Sequence, residues 1–217
     1  MTSKSKIKSP DEDKFGADIK LIIIGNTSTG KTSIVNQFIN KKFSKEYSAT
    51  IASDFQYKLL KIGNLNYRIQ FWDLAGQDRS PEMTKLFCQD TNGVIICCEV
   101  NKKESRDNTL KWKENLINNR IDIKKITLVL CENKCDLLND NYENFQELKN
   151  FSINNEFNQC FRTSALNGFG IEDMILFIVE DIVNRNNNNN NEINDTFKIQ
   201  KNKQTTNQDN NLKKSCC

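Results

Sequence analysis

The chain has no histidine, only two prolines and no C-x-x-C pair among its eight cysteines. Without histidine or a paired-cysteine spacing, nothing in the sequence presents the ligand set of a zinc site. Scattered cysteines with no disulfide pattern read as free thiols in a reducing cytosol. Long hydrophobic runs are absent as well. Runs such as Leu21–Ile24 and Val94–Cys98 fall far below the roughly 20 residues that a spanning helix needs. The amino-terminal stretch is charged and polar, without a signal-peptide core. Any membrane attachment must therefore come from something other than a helix.

Apolar residues make up only 37% of the chain, and the shortfall is uneven. Up to Val183 the sequence carries apolar runs sufficient for one core. From Asn184 onward it is rich in asparagine and lysine, with four scattered apolar residues before the terminal cysteines. Such a segment cannot offset its ordering entropy and is expected to be a disordered tail. It holds six basic residues (Arg185, Lys198, Lys201, Lys203, Lys213, Lys214) against three acidic ones (Glu192, Asp195, Asp209). The whole net charge of +3 therefore lies there, and residues 1–183 are formally neutral. No nucleic-acid surface is indicated; the positive end suits an anionic membrane. The expected organisation is a flexible leader over 1–17, one domain over 18–183 and the tail over 184–217.

Within the domain, Ile19–Ile24 reads as a buried strand, followed by a glycine-bearing loop and a helix over Lys31–Asn40. Phe55–Ile62 and Tyr67–Phe71 read as strands joined at Gly63–Asn64, a connection short enough to require antiparallel pairing. Further strands are predicted at Gly93–Val100, Ile126–Cys131 and Asn158–Arg162. Helices are predicted at Ser105–Asn119, Tyr142–Asn154 and Gly170–Val183. This alternation predicts an α/β fold: a mostly parallel six-stranded sheet with one antiparallel edge strand and helices on both faces. Such sheets bind ligands at the carboxyl ends of their strands.

Three loops at those ends carry chemistry. Gly25-Asn26-Thr27-Ser28-Thr29-Gly30-Lys31-Thr32, followed by Ser33, fits G-x-x-x-x-G-K-[ST] between a strand and a helix. Its backbone N–H groups form a nest for phosphate. Lys31 would bridge the β- and γ-phosphate oxygens, and the Thr32 hydroxyl would bind Mg²⁺. Phe71-Trp72-Asp73-Leu74-Ala75-Gly76-Gln77 would supply Asp73 for the metal, Gly76 for a backbone N–H to the γ-phosphate, and Gln77 as the catalytic residue that orients the attacking water. Asn133-Lys134-Cys135-Asp136 points to guanine. The Asp136 carboxylate can accept the base's two adjacent N–H donors, Asn133 would tie this loop to the phosphate loop, and the Lys134 stem would cover the ring. A site built on such pairing rejects adenine by ~10⁴–10⁵. Ser164 and Ala165, after the last strand, are small enough to let backbone N–H groups reach the base carbonyl. Each motif has a plainer reading as a turn; their combination on one rim favours GTP.

Together these residues resemble the Ras superfamily of small GTPases. Phe55, the Trp72–Gln77 run and the terminal Cys216–Cys217 resemble the Rab family specifically. The resemblance covers roughly residues 17–183 and the extreme carboxyl end, and it implies a P-loop GTPase domain. Leu74, Met83-Thr84-Lys85 and Leu110-Lys111-Trp112-Lys113 are similar to the thirty-two/thirty-eight branch, which serves lysosome-related organelles. The family implies that Tyr47, Ser48, Ala49, Thr50, Ile51, Ala52, Ser53, Asp54 and Phe55 form the first switch and effector segment. It further implies that Thr50 ligates Mg²⁺, that Phe43 packs on guanine, and that Phe55, Trp72 and Phe87 face effectors. Cys216 and Cys217 would carry geranylgeranyl groups; two chains anchor stably where one does not. The implied partners are a guanine exchange factor, a GTPase-activating protein, a GDP-dissociation inhibitor or escort protein, and effectors. The implied state is a monomer on the cytosolic face of endosomal or lysosome-related membranes, cycling with cytosol.

Departures from the family pattern are Ala52, Ser53, Asp78, Ser80, Cys88-Gln89-Asp90 and Thr27. No arginine is placed as a cis finger, so hydrolysis is expected to be slow until an activating protein adds ~10³–10⁵ in rate. Two other classes compete: a GTP-binding membrane scaffold with little turnover, and a metabolic nucleotide kinase. Single-turnover hydrolysis separates the first, and competition by ATP the second.

Overall fold

Leu21–Ile24, Val94–Cys98 and Leu128–Cys131 are wholly apolar and lie side by side at the centre of one sheet, as runs without alternation should. The computed structural model describes residues 14–44, 54–74, 86–138 and 145–187. Six strands are present: β1 (Lys14–Ile24), β2 (Asp54–Ile62), β3 (Leu65–Asp73), β4 (Gly93–Glu99), β5 (Thr127–Asn133) and β6 (Gln159–Thr163). Their order is β2-β3-β1-β4-β5-β6, with β2 antiparallel to β3 and every other pair parallel. This is the predicted architecture.

The helices are α1 (Lys31–Asn40), α2 (Lys103–Asn118), α3 (Phe145–Asn154) and α4 (residues 171–179). Strand residues alternate between the two faces. Ile22, Ile24, Val94, Ile96, Cys98, Leu128 and Leu130 pack on one side with Leu116 of α2 and Leu148 of α3. The intervening positions meet α1 and α4. Phe38 stacks on Phe71 with ring centroids 5.4 Å apart, and Phe161 meets Phe177 at 5.6 Å. Two cations link α2 to the α3 side: Lys113 Nζ donates to the Asn155 carbonyl at 2.5 Å, and the Arg106 guanidinium lies 5.5 Å from the Phe151 ring.

Several boundaries differ from expectation, Leu65–Asp73 against Tyr67–Phe71 for β3 among them, and two of the shifts have a plain physical reason. Strand β1 begins at Lys14, not Ile19, because its polar start is held by cross-strand partners in place of core burial. Asp18 accepts from Arg68 and Gln70 of β3, and Gly16 lies so close to the Tyr67 ring that a Cβ there would be 2.7 Å from it. Strand β5 runs on to Asn133, two residues past the apolar run, because Glu132 and Asn133 pair in register with Arg162 and Thr163 of β6.

The described residues fall into two units that divide after Val179. In the second, residues 180–187 are helical and Arg185 pairs with Asp181. Among the described residues no helix is long and apolar enough to cross a membrane, and no group of three or more metal-binding side chains occurs.

Candidate functional site

The rim at the carboxyl ends of β1, β3, β5 and β6 collects the predicted loops. Gly25 follows β1 with φ 140°; a Cβ there would stand 2.1 Å from the Cys97 carbonyl oxygen, so only glycine fits. Gly30 caps α1 in the left-handed region at φ 90°, and a Cβ would meet Asn133 Nδ2 at 2.4 Å. Between them Thr27 and Ser28 are exposed and Thr29 is buried. The Thr29 hydroxyl donates to the Asn26 carbonyl at 2.9 Å. Lys31 is buried, and its Nζ donates to the Gly25 and Asn26 carbonyls at 2.9 and 2.8 Å. Burial lowers its pKa, against the opposing charge of Asp73. The next hydroxyl, Thr32 Oγ1, donates to Asp73 Oδ2, joining the start of α1 to the end of β3. Ser33 lies in α1, half-buried.

Asn133 is the knot of the site. Its Nδ2 donates to the Thr29 carbonyl at 2.9 Å, and its Oδ1 accepts from the Thr163 hydroxyl at 3.1 Å and the Ala165 N–H at 3.2 Å. One amide thus joins the phosphate loop, the end of β5 and the loop after β6. Lys134 adopts the left-handed conformation at φ 67°, which turns the chain outward. Asp136 is exposed and accepts from the Ser164 hydroxyl. The sequence aims the Ser164 and Ala165 amides at a base carbonyl. Here the Ser164 N–H donates to the Phe169 carbonyl at 3.0 Å and the Ala165 N–H to Asn133. Both donors are drawn inward by the turn that follows β6. Phe43 is exposed beyond α1.

Asp54 and Phe55 open β2. Phe55 meets Trp72 edge-on at 5.2 Å and Trp72 meets Phe87 at 6.1 Å, so the three aromatics expected to face effectors form one contiguous set. Tyr47, Ser48, Ala49, Thr50, Ile51, Ala52, Ser53, Gly76, Gln77, Cys216 and Cys217 lie outside the described residues.

Two supporting groups carry no local sequence signal. Glu99, at the end of β4, accepts Lys102 at 2.9 Å and Lys134 at 3.1 Å. Burial raises the pKa of its carboxyl, but hydrogen bonds from the two lysines outweigh this and leave it below the usual value. Buried Glu132 and half-buried Arg162, each one residue before a site residue, form an ion pair at 2.9 Å. Register is the signal that would find this pair: once β5 and β6 are aligned, the two charges stand opposite each other. The six described cysteines are free thiols.

A family model described as the Ras family matches residues 20–184. The chain is 32% identical to the Ras-related protein Rab-32 of Homo sapiens over 202 residues, which is 91% of this chain and 88% of that protein. It is 30% identical to Rab-32C of Dictyostelium discoideum over 199 residues, covering 92% and 88%. With Rab-4A of Mus musculus it shares 31% over 166 residues, covering 76% and 75%. These likenesses favour a hydrolysing switch over the scaffold alternative. The chain belongs to the Ras family, as a guanine-nucleotide-binding, GTP-hydrolysing Rab small GTPase of the thirty-two/thirty-eight branch.

Proposed function

We propose that this Rab works as a timed membrane switch, recruiting effectors in its GTP form and releasing them after slow hydrolysis. The observation that carries the reading is the Asn133 knot, which places a phosphate loop and an exposed carboxylate, Asp136, on one rim. In this reading the Gly25–Thr32 amides and Lys31 bind the phosphates, Asp136 reads guanine while Ser164 orients it, and Gln77 positions water. Charge neutralisation and positioning then supply most of the rate.

Thr32 and Asp73 offer a hydroxyl and a carboxylate side by side, the hard-oxygen donors suited to Mg²⁺ with its retained waters. These two, with Thr50, would hold the ion, and when bound it would neutralise charge on the phosphates. Hydrolysis would release Thr50 and Gly76, and with them both switches. The helix runs on to residue 187, past Asn184, where the sequence predicts the start of the tail; the segment beyond it would hold the domain off the membrane through geranylgeranyl groups on Cys216 and Cys217. An exchange factor, an activating protein, a dissociation inhibitor or escort, and effectors are its partners. Endosomal or lysosome-related membranes are its site.

Displacement of fluorescent GDP tests the reading. GTP should compete at equimolar concentration, while a thousand-fold excess of ATP should leave the signal unchanged; equal competition by ATP refutes it. Thr27 stands exposed on the phosphate loop, where its extra methyl would crowd the incoming water. Thr27→Ser should raise the single-turnover hydrolysis rate a few-fold, and equal rates would remove Thr27 as a brake. A fluorescent fusion lacking Cys216–Cys217 should redistribute from membranes to cytosol; unchanged membrane signal counts against lipid attachment.

A further inference from the structure

Asn26 is the second residue of the phosphate loop, and its side chain is gripped from a distant helix. The indole Nε1–H of Trp112, on α2, donates to Asn26 Oδ1 at 2.9 Å across a separation of 86 residues. The backbone carbonyl of the same Asn26 accepts Lys31 Nζ at 2.8 Å and the Thr29 hydroxyl at 2.9 Å. The Trp112 ring packs against the core cluster that includes Ile24 and Leu116. It therefore has little freedom to follow the loop if the loop moves. Fixing the Asn26 side chain restricts rotation of its peptide unit, which organises both Lys31 and Thr29. Ser28, two positions on, already sits in the left-handed region at φ 63° and offers no compensating rigidity of its own.

We propose that Trp112 is a positioning residue for nucleotide retention: through Asn26 it holds the phosphate loop in the shape that grips the phosphates, so that α2 sets the rate of GDP release. The proposal rests on the nucleotide site described above and adds to it a residue that touches no nucleotide. Loss of one neutral hydrogen bond of this kind corresponds to about five- to ten-fold in a rate or affinity.

The test measures dissociation of fluorescent GDP from the full chain. Trp112→Phe keeps an aromatic ring in the core but removes the donor, and should release GDP about five- to ten-fold faster. Asn26→Ala removes the acceptor and should do the same. The double variant should be no faster than either single one, because both remove one bond. Leu116→Val, in the same helix and core but without a bond to the loop, should lower the melting temperature and leave the release rate at the wild-type value. That contrast separates positioning from general loosening.

The chain has two tryptophans, so ¹⁵N-indole labelling gives two side-chain signals. Asn26→Ala should shift the signal that Trp112→Phe abolishes and leave the Trp72 signal in place. Wild-type release rates in both single variants, or multiplying effects in the double, overturn the proposal while leaving the nucleotide site intact. Failure of the wild-type chain to bind GDP at all overturns both.

Discussion

Replacing Asn133 by alanine should weaken GDP binding by ~10²–10³-fold while the sheet stays folded. Its side chain makes three hydrogen bonds: to the Thr29 carbonyl, the Thr163 hydroxyl and the Ala165 amide. All three are buried, so their loss leaves the Thr29 carbonyl and the Ala165 N–H without these partners in a site that water does not readily enter. At about 1–1.5 kcal/mol per bond, the sum reaches ~3–4 kcal/mol. Much of it should appear in binding, because the bonds join loops and not strands. Thr163 keeps a second contact, its hydroxyl lying 3.2 Å from Cys131 Sγ, so the end of β6 should hold. Fluorescent GDP titration beside a thermal melt measures the two effects separately. An affinity within about three-fold of wild type would mean that the loops are held together without this amide.

Glu132→Ala should produce the largest loss of stability, ~3–5 kcal/mol. It removes the carboxylate that faces the Arg162 guanidinium, which lies half-buried beside the Phe145 ring at 5.3 Å and cannot shed its charge. Removing the other partner, as in Arg162→Met, leaves the buried Glu132 carboxylate without this cation and should also destabilise the fold. Replacing both residues with apolar ones of similar volume should return stability close to wild type. Urea unfolding of the four proteins at saturating GDP would show this order. Equal, small losses for both single variants would mean that water reaches the pair.

The contrast between these two residues explains what could be read from the chain beforehand. The phosphate loop and the Asn133–Asp136 run are legible because their chemistry is local: glycines and a lysine at fixed spacing after an apolar strand leave few alternatives. The sheet is legible for a related reason, since its central strands are unbroken apolar runs. What escaped was set by partners far apart in sequence. Strand β1 starts early because Asp18 meets Arg68, fifty residues away. Glu99 meets Lys134, Glu132 meets Arg162 and Trp112 meets Asn26 only once the fold exists. A charged residue on a strand carries no mark of its partner until register is known. The amides of Ser164 and Ala165 could not be assigned either, because the turn after β6 decides which way they point.

The open edge of the sheet has a consequence for handling the protein in solution. Strand β2 lies at one end of the sheet and presents Phe55, Tyr57 and Leu59 on the same exposed face. Edge strands of this kind stay soluble when charges interrupt them. Of the charges on β2, Lys58 is committed elsewhere: its ammonium donates to the Phe38 carbonyl at 2.8 Å and rests over the Phe38 ring. Asp54 and Lys61 are the other two charges on this strand. Two copies, each with a net charge of +3, repel most strongly at low ionic strength, so concentrated stocks should be best behaved there, and salting the protein to sharpen a purification should bring turbidity sooner.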